Sequence, residues 1–145
     1  MQKQVRSCMN AVWVAGVLRL LNVFLDELAE TPRAGTFLPA SEDAVLGKIL
    51  HYLESRPEDN RSVAELAHEA KITERTLARK CRQDLGMPLI EWRNRMRVVN
   101  AIAMIEEGKS VESIASEFSY SSASAFIAMF KKLTGVTPAS YRERL

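Results

Sequence analysis

An internal repeat constrains the fold of this chain more than any other feature of its sequence. The segment SVAELAHEA at 62–70 aligns with SVESIASEF at 110–118, which begins 48 positions later. Three further pairs align at a separation of 49 positions: Leu77 with Phe126, Arg82 with Lys131, and Gly86 with Gly135. The step from 48 to 49 predicts one additional residue in the second copy, within SYSS at 119–122. The chain therefore contains two copies of one supersecondary unit.

Each copy has the pattern of a short helix, a turn of three to four residues and a second helix. From Ala44 onward apolar residues recur at helical spacing, and no alternating strand pattern is present. Four hydroxyl side chains precede such helical patterns and are predicted N-caps: Ser62, Thr73, Ser110 and Ser122. Glu65 follows Ser62 by three residues, which predicts a capping box. The predicted helices cover residues 44–54, 62–70, 74–85, 88–107, 111–118, 122–133 and 138–144.

The predicted fold class is all-α, with two helix-turn-helix units joined by a long linker helix and preceded by an amphipathic N-terminal helix. The units cover 62–85 and 110–133, and the linker helix covers 88–107. A helix of about 20 residues spans about 30 Å, close to the spacing of about 34 Å between successive major grooves on one face of B-DNA. The apolar side chains of the linker helix are interpreted as core: Leu89, Trp92, Met96, Val99, Ile102, Ala103 and Ile105. A pair of helical hairpins that serves only for packing is the alternative interpretation.

The region before the repeat has its own amphipathic pattern at 9–29, where apolar residues recur every three or four positions. The apolar face of such a helix needs a partner: the following domain, a second copy of the chain or another protein. Residues 30–43, with two prolines and a glycine, are predicted to be a linker. A signal peptide is only a minor alternative for this region. Arg19 interrupts the apolar run, and no small-x-small cleavage site follows it. The run is also too short to span a bilayer, so no membrane partner is predicted.

Residues that form catalytic and metal sites are few and scattered in this sequence. Cys8 and Cys81 are too few for a disulfide framework or a zinc site, and they indicate reduced thiols in a cytoplasmic protein. His51 and His68 have no further histidine or cysteine at ligand spacing. The sequence shows no Ser/His/Asp pattern and no glycine-rich phosphate loop. We therefore predict no enzyme activity, no catalytic residue, no metal and no cofactor.

Positive charge is concentrated in one segment, although the whole chain carries a net charge of only +2. Between Thr73 and Arg97 the sequence has seven basic residues and three acidic ones. The basic residues are Arg75, Arg79, Lys80, Arg82, Arg93, Arg95 and Arg97. Such a stripe is either a solvated helix face or a surface that binds anions. Arg97, near the middle of the linker helix, is predicted to be a structural arginine that pairs with an acid in the first unit.

The helix predicted at 74–85 has the organisation of a recognition helix. Leu77 and Cys81 form its inward pair. Three side chains fall on the opposite face near the N-terminus, where the second helix of a helix-turn-helix contacts base edges: Arg75, Thr76 and Arg79. Arginine can pair bidentately with guanine there. Lys80 and Arg82 lie where they can reach phosphates.

Two stretches of the sequence resemble a known family. They are SVESIASEFSYSSASAFIAMFKKLTGVTPASYR at 110–142 and TERTLARKCRQDLGMPLIEWRNRMRV at 73–98. Together with their surroundings, residues 44–145 resemble the C-terminal DNA-binding region of AraC/XylS-type bacterial transcription regulators, over its full length. The resemblance implies two helix-turn-helix units that bind double-stranded promoter DNA and control transcription in the bacterial cytoplasm.

The resemblance also implies which residues contact DNA. In the first unit, the base-facing positions of the family hold Arg75, Thr76, Ala78 and Arg79. In the second unit they hold Ala123, Ser124, Ala125 and Ala128, a set with few groups that read bases. The first recognition helix is therefore predicted to read sequence, with Ser124 as a base contact from the second. The predicted phosphate contacts are Lys80, Arg82, Ser121, Ser122, Lys131 and Lys132.

Two departures from the family pattern lead to further expectations. The family usually has glycine in each helix-turn-helix turn, and here those places hold Lys71 and Ser119. Either the turns bend differently or the domain tolerates left-handed residues at a cost of about 1–2 kcal/mol each. The family also usually has a longer upstream domain, and FLDELAETPRAGTFLPASEDAVLGKIL at 24–50 resembles the tail of a cupin-type sensor domain and its linker. This leads to the hypothesis that the chain is a C-terminal fragment, or an alternative product, of a longer regulator.

The candidate partners follow from these interpretations. Promoter DNA is the predicted partner, with RNA polymerase and a second copy of the chain, joined through helix 9–29, as further candidates. The alternative function is a protein-interaction or dimerisation module in which the helix-turn-helix units are remnants. The predicted domain organisation has three parts. Residues 1–29 contain the amphipathic helix, residues 30–43 form the linker, and residues 44–145 form the AraC-type DNA-binding domain.

Overall fold

The computed structural model describes residues 38–145, and the predicted helix 9–29 lies outside these residues, as does most of the linker. The described part of the chain forms seven helices and no strand. They are α1 (Ala44–Ser55), α2 (Val63–Glu69), α3 (Glu74–Asp84), α4 (Leu89–Glu106), α5 (Val111–Glu117), α6 (Ala123–Thr134) and α7 (Pro138–Arg142). The all-α prediction is confirmed, and every helix predicted from residue 44 onward begins and ends within two residues of the observed one.

The four predicted N-caps are confirmed, and each hydroxyl accepts from a backbone N–H that the first helical turn leaves without a partner. The hydrogen bonds are Glu65 N to Ser62 Oγ at 3.2 Å, Thr76 N to Thr73 Oγ1 at 3.1 Å, Ser113 N to Ser110 Oγ at 3.2 Å and Ala125 N to Ser122 Oγ at 3.2 Å. The capping box is also present, because the Glu65 carboxylate accepts from the backbone N–H of Ser62 at 2.7 Å. These caps fix the residue at which each helix of the two units begins.

Both helix-turn-helix turns contain a non-glycine residue in the left-handed region. Lys71 has φ 57° and Ser119 has φ 56°. Each ends its helix with the same pair of hydrogen bonds, in which two successive N–H groups donate back to the last helical turn. These bonds run from Lys71 N to His68 O, Ile72 N to Ala67 O, Ser119 N to Ser116 O and Tyr120 N to Ala115 O, at 2.9–3.0 Å. The turns therefore keep their geometry without glycine, and the domain tolerates the strain.

The additional residue of the second turn is Ser121. The two turns match up to Ile72 and Tyr120, after which the N-cap Thr73 follows directly in the first unit. In the second unit Ser121 comes before the N-cap Ser122. The side chain of Ser121 is exposed, so the insertion lengthens the turn on its solvent side.

The helices enclose two adjacent hydrophobic cores, one for each unit. Leu77 lies in the first core and its repeat partner Phe126 lies in the second, and both are fully buried. In the second core, the ring of Phe126 contacts the rings of Phe118, Tyr120 and Phe130, with centroids 5.7–6.2 Å apart. The repeat in the sequence is thus a repeat in the packing.

The linker helix α4 contributes to both cores, with a different face to each. Leu89, Trp92 and Met96 pack into the first core, and Val98, Ala101, Met104 and Ile105 pack into the second. At about 100° per residue these two sets lie on roughly opposite sides of the helix. The predicted core set was therefore wrong at Val99 and Ala103, which are exposed, and it missed Val98, Ala101 and Met104. It followed one face along the whole helix, whereas the buried face changes after Met96.

Candidate nucleic-acid interface

The exposed face of α3 forms one continuous basic surface. Arg75, Arg79 and Arg82 lie on the same side of the helix, since successive residues turn by about 100°, and all three are exposed. The surface encloses a shallow depression of about 560 Å³ that is lined by Arg75, Thr76, Ala78, Arg79, Arg82 and Gln83. The opposite side of α3 is fixed by Leu77 and Cys81, both fully buried in the first core. This burial holds the basic face toward solvent.

The charges on this face are available to an external anion. Within residues 38–145, no carboxylate lies within ion-pair distance of Arg75, Arg79 or Arg82, whereas four other cations of the domain are paired. The paired cations are Arg61 with Asp59 and Glu69, Lys80 with Asp43, Arg95 with Glu91, and Lys109 with Glu117. Three arginines that share one exposed face and one helix match the electrostatic pattern of a nucleic-acid-binding surface.

Two predicted contact residues of α3 already have partners within the domain. The hydroxyl of Thr76 is 2.9 Å from that of Thr73, the N-cap of the same helix. Lys80 forms an ion pair with Asp43, which caps α1. The pKa of Asp43 is held below its ordinary value by the backbone N–H of Leu46 and next by Lys80. Lys80 must therefore leave a charged partner if it is to contact a phosphate.

Three other arginines of the basic segment lie away from this surface. Arg93 and Arg97 are buried in α4, with exposed fractions of 8% and 4%. Arg93 donates to the carbonyl oxygen of Arg61 at 2.7 Å, and Arg95 pairs with Glu91 one turn earlier at 2.7 Å. Burial, and then the neighbouring Arg97 guanidinium, lowers the pKa of Arg93. The basic segment of the sequence therefore contains two groups of arginines. One group forms the exposed surface on α3, and the other makes contacts within the domain.

Arg97 is a structural arginine as predicted, but its predicted partner was wrong. Its side chain donates to the carbonyl oxygens of Pro57 and Asp59 at 2.8 and 3.0 Å, and to Asn60 Oδ1 at 2.8 Å. The carboxylate of Asp59 is instead bound by Arg61 at 2.9 Å. Backbone carbonyls have no signature in a sequence, so only the structure could identify these acceptors.

The corresponding face of α6 is exposed but almost free of charge. Ser124, Ala128 and Lys131 stand where α3 has Arg75, Arg79 and Arg82, and all three side chains are exposed. Ala125 and Lys132 are exposed beside them. This helix therefore offers a surface of small side chains near its N-terminus and two lysines near its C-terminus.

The serines at the start of α6 have different environments. Ser122 is engaged as the N-cap through its Oγ, whereas Ser121 lies exposed in the turn. The N-terminal N–H groups of a helix favour anions. Ser121, Ser122 and Ser124 thus surround a helix end that is suited to a phosphate.

Among residues 38–145, no group of three histidine, cysteine or acidic side chains is arranged to hold a metal ion. No helix in this part of the chain is long and apolar enough to cross a membrane.

Comparison with known proteins identifies the fold and its relatives. A family model described as a helix-turn-helix domain matches residues 66–144. The chain is 31% identical over 127 residues to the transcriptional regulator NimR of Escherichia coli, a match that covers 88% of this chain and 46% of NimR. It is 30% identical over 129 residues to an AraC-like transcription regulator of Streptomyces antibioticus, covering 88% and 43% of the two chains. The chain therefore spans about half the length of these relatives.

Solved structures show the same architecture. The C-terminal domain of AraT, a response regulator from Geobacillus stearothermophilus, superposes with a TM-score of 0.68 at 21% identity, covering 72% of this chain and 89% of that domain. The DNA-binding domain of AdpA, solved in complex with a target DNA, superposes with a TM-score of 0.64 at 26% identity, covering 68% and 90%. The family model, the relatives and the shared fold all agree with the resemblance found in the sequence. The chain therefore belongs to the AraC-type helix-turn-helix family.

Proposed function

We propose that this chain is a sequence-specific, double-stranded DNA-binding regulator of transcription, and not an enzyme. The observation that carries the proposal is the row of Arg75, Arg79 and Arg82, exposed and without an ion-pair partner within residues 38–145. A helix that presents such a row can enter the major groove, where arginine pairs bidentately with guanine. The relation to the AdpA domain, which was solved with its target DNA, supports the same partner.

The two recognition helices have different roles in this proposal. The α3 helix reads base edges through Arg75, Thr76 and Arg79, and Arg82 contacts phosphate. The α6 helix mainly docks on the phosphate backbone through Ser121, Ser122, Lys131 and Lys132, with Ser124 as its base contact. The absence of charge near the N-terminus of α6 supports this division, because alanines make only apolar base contacts. Lys80 joins the phosphate contacts when it leaves Asp43.

A selection experiment tests the proposal directly. The purified chain is incubated with a pool of random duplexes, bound DNA is recovered by mobility shift, and the selected site is footprinted. We expect one preferred sequence with two protected segments on one face of the duplex, about one helical turn apart. We also expect binding to weaken steeply with salt, because Lys and Arg release counterions from phosphates. Selection that enriches no sequence would contradict the proposal.

The domain limits and the further partners belong to the same proposal. We place the DNA-binding domain at 44–145, which contains the family match at 66–144. Homodimerisation through the helix predicted at 9–29 would raise DNA avidity by linking two binding modules, and RNA polymerase would be the partner of an activator. Sedimentation of the chain with and without residues 1–35 tests the dimer. A molar mass in solution equal to that of a single chain, both with and without residues 1–35, would contradict it.

A further inference from the structure

One loop contacts both helix-turn-helix units, and it contains an asparagine that the proposed DNA contacts do not use. The loop at 56–62 joins α1 to α2 in the first unit. In this loop, Asn60 Nδ2 donates a hydrogen bond of 3.0 Å to the carbonyl oxygen of Ser119. Ser119 is the left-handed residue in the turn of the second unit. This hydrogen bond therefore connects the two units directly, outside the linker helix.

The linker helix holds the same asparagine from the other side. Arg97 Nη2 donates to Asn60 Oδ1 at 2.8 Å and to the carbonyl oxygen of Asp59 at 3.0 Å. Arg97 Nε donates to the carbonyl oxygen of Pro57 at 2.8 Å. The amide of Asn60 is thus used at both ends, since its oxygen accepts from α4 and its nitrogen donates to the second turn.

The contacts continue from this point into the second recognition helix. The guanidinium carbon of Arg97 lies 5.4 Å from the centre of the Tyr120 ring. Tyr120 in turn meets Phe126 edge-on, with ring centroids 5.7 Å apart. Phe126 is a fully buried residue of α6. Arg97 also stands between Met96, which packs in the first core, and Val98, which packs in the second.

We propose that Asn60 is a positioning residue that sets the orientation of the second helix-turn-helix unit relative to the first. Through that orientation, it determines which spacing of two DNA segments the domain prefers. The inference rests on the proposed function, because a preferred spacing exists only if both units engage DNA. The physical reason is that a helix bends and twists along its length, whereas a second connection through Asn60 and Ser119 restricts that motion.

Two variants of Asn60 separate its two hydrogen bonds. Asn60→Asp keeps an oxygen that accepts from Arg97 and removes the donor to Ser119, and Asn60→Ala removes both. Asn60 is exposed, so neither change opens a core. Asn100→Ala is the matched control, because the amide of Asn100 contacts Met96 Sδ within the same helix. Circular dichroism melts establish that all three variants fold.

The first measurement is affinity for the selected duplex with its spacer unchanged, one base pair longer and one base pair shorter. We expect the wild-type chain and Asn100→Ala to prefer the original spacer. Both Asn60 variants should weaken this preference by about two- to tenfold, the range that corresponds to one hydrogen bond. Their affinity for a duplex that keeps only the segment bound by α3 should not change. A full spacing preference in Asn60→Asp and Asn60→Ala would overturn the inference.

The second measurement needs no DNA and separates this inference from the proposed function. Spin labels are attached at Gln83→Cys on α3 and Lys132→Cys on α6, in a chain whose Cys8 and Cys81 are replaced by alanine. We expect a narrow distribution of distances between the labels, which broadens or shifts in both Asn60 variants. An unchanged distribution would overturn the role in orientation. If the distribution changes and the unlabelled wild-type chain selects no DNA site, that role stands and the proposed function is contradicted.

Discussion

Lys71 and Ser119 occupy equivalent places in the two turns and have nearly the same left-handed conformation, with φ of 57° and 56°. Each residue directly follows the end of its helix, and the same pair of backbone hydrogen bonds closes both helix ends. Because left-handed backbone is strained for a residue with a Cβ atom, both turns carry a local cost that glycine would remove.

We therefore expect Lys71→Gly and Ser119→Gly each to raise the free energy of unfolding by up to about 1 kcal/mol. The relief of about 1–2 kcal/mol of strain is partly offset by the greater freedom of glycine in the unfolded chain. Urea titration followed by circular dichroism measures the change. Gly108→Ala is the matched control, since Gly108 has φ 86° and an added Cβ there meets no atom within 4 Å. That variant should lose stability, and a loss in all three variants would contradict the strain argument.

Arg79→Ala and Lys131→Ala should affect DNA binding in different ways. Arg79 is expected to contact bases, so its loss should relax preference at one base pair by about 1–3 kcal/mol. Lys131 is expected to contact phosphate, so its loss should weaken binding to all sequences about equally and reduce the salt dependence. Competition binding with single-base variants of the selected site measures both effects. Uniform weakening by Arg79→Ala would count against base reading by α3.

The ion pair between Asp43 and Lys80 predicts a variant with increased affinity for DNA. Asn at position 43 still caps α1, but Asp43→Asn releases Lys80 to reach a phosphate. We expect tighter binding to nonspecific duplexes and a steeper salt dependence, by up to about one released counterion. Removal of a negative charge alone would also favour DNA, so Asp43→Asn combined with Lys80→Ala is the control. The salt dependence should return to the wild-type value in the double variant, and if it stays steep, Lys80 is not the group released.

Ala128→Arg should give the second recognition helix a base preference of its own. Ala128 stands where the first unit has Arg79, and its side chain is exposed. An arginine there gains a bidentate donor, whereas Ala128→Lys adds the same charge without that geometry. We expect a new guanine preference in the second protected segment for Ala128→Arg and no such preference for Ala128→Lys. An unchanged footprint and sequence preference in Ala128→Arg would count against placing α6 in the groove.

The buried thiol of Cys81 predicts a loss of stability at alkaline pH. Burial raises the pKa of Cys81 to about 11, whereas an unfolded cysteine titrates at about 8.5. The folded state favours the neutral thiol, so this stabilisation is complete below about pH 8.5 and is lost as pH rises toward 11. Urea titration at pH 7 and pH 10.5 should show a decline that is smaller in Cys81→Ala, by an amount on the order of 2 kcal/mol. Equal declines in the two chains would contradict this role of the thiol.

Most of the helical architecture could be predicted from the sequence because it depends on local patterns. An N-cap such as Ser122 acts on an N–H only three residues away, and the repeat shows where each unit begins. The contacts of Arg97 and Lys80 could not be predicted in the same way. Their partners lie in loops or caps that are 37 to 40 positions away, and several acceptors are backbone carbonyls.

The buried face of α4 was also beyond the reach of the pattern. Helical periodicity predicts the buried side chains only where a single face of the helix is buried. The α4 helix packs on two cores that lie on different sides of it. The same limit applies to the basic segment, where Arg79 is exposed and Arg93 is buried although both have the same charge. The DNA contacts themselves remain predictions, supported by exposure and by the family.

The packing of α4 on both cores has a consequence for how the domain folds. Leu89 and Trp92 are missing from the first core, and Met104 and Ile105 from the second, whenever this one helix is unfolded. Neither half of the repeat therefore has a complete set of core residues without it. Repeated units often unfold independently, but these two share an element and should melt in a single cooperative transition. Slow hydrogen exchange in either unit will consequently report on the stability of both.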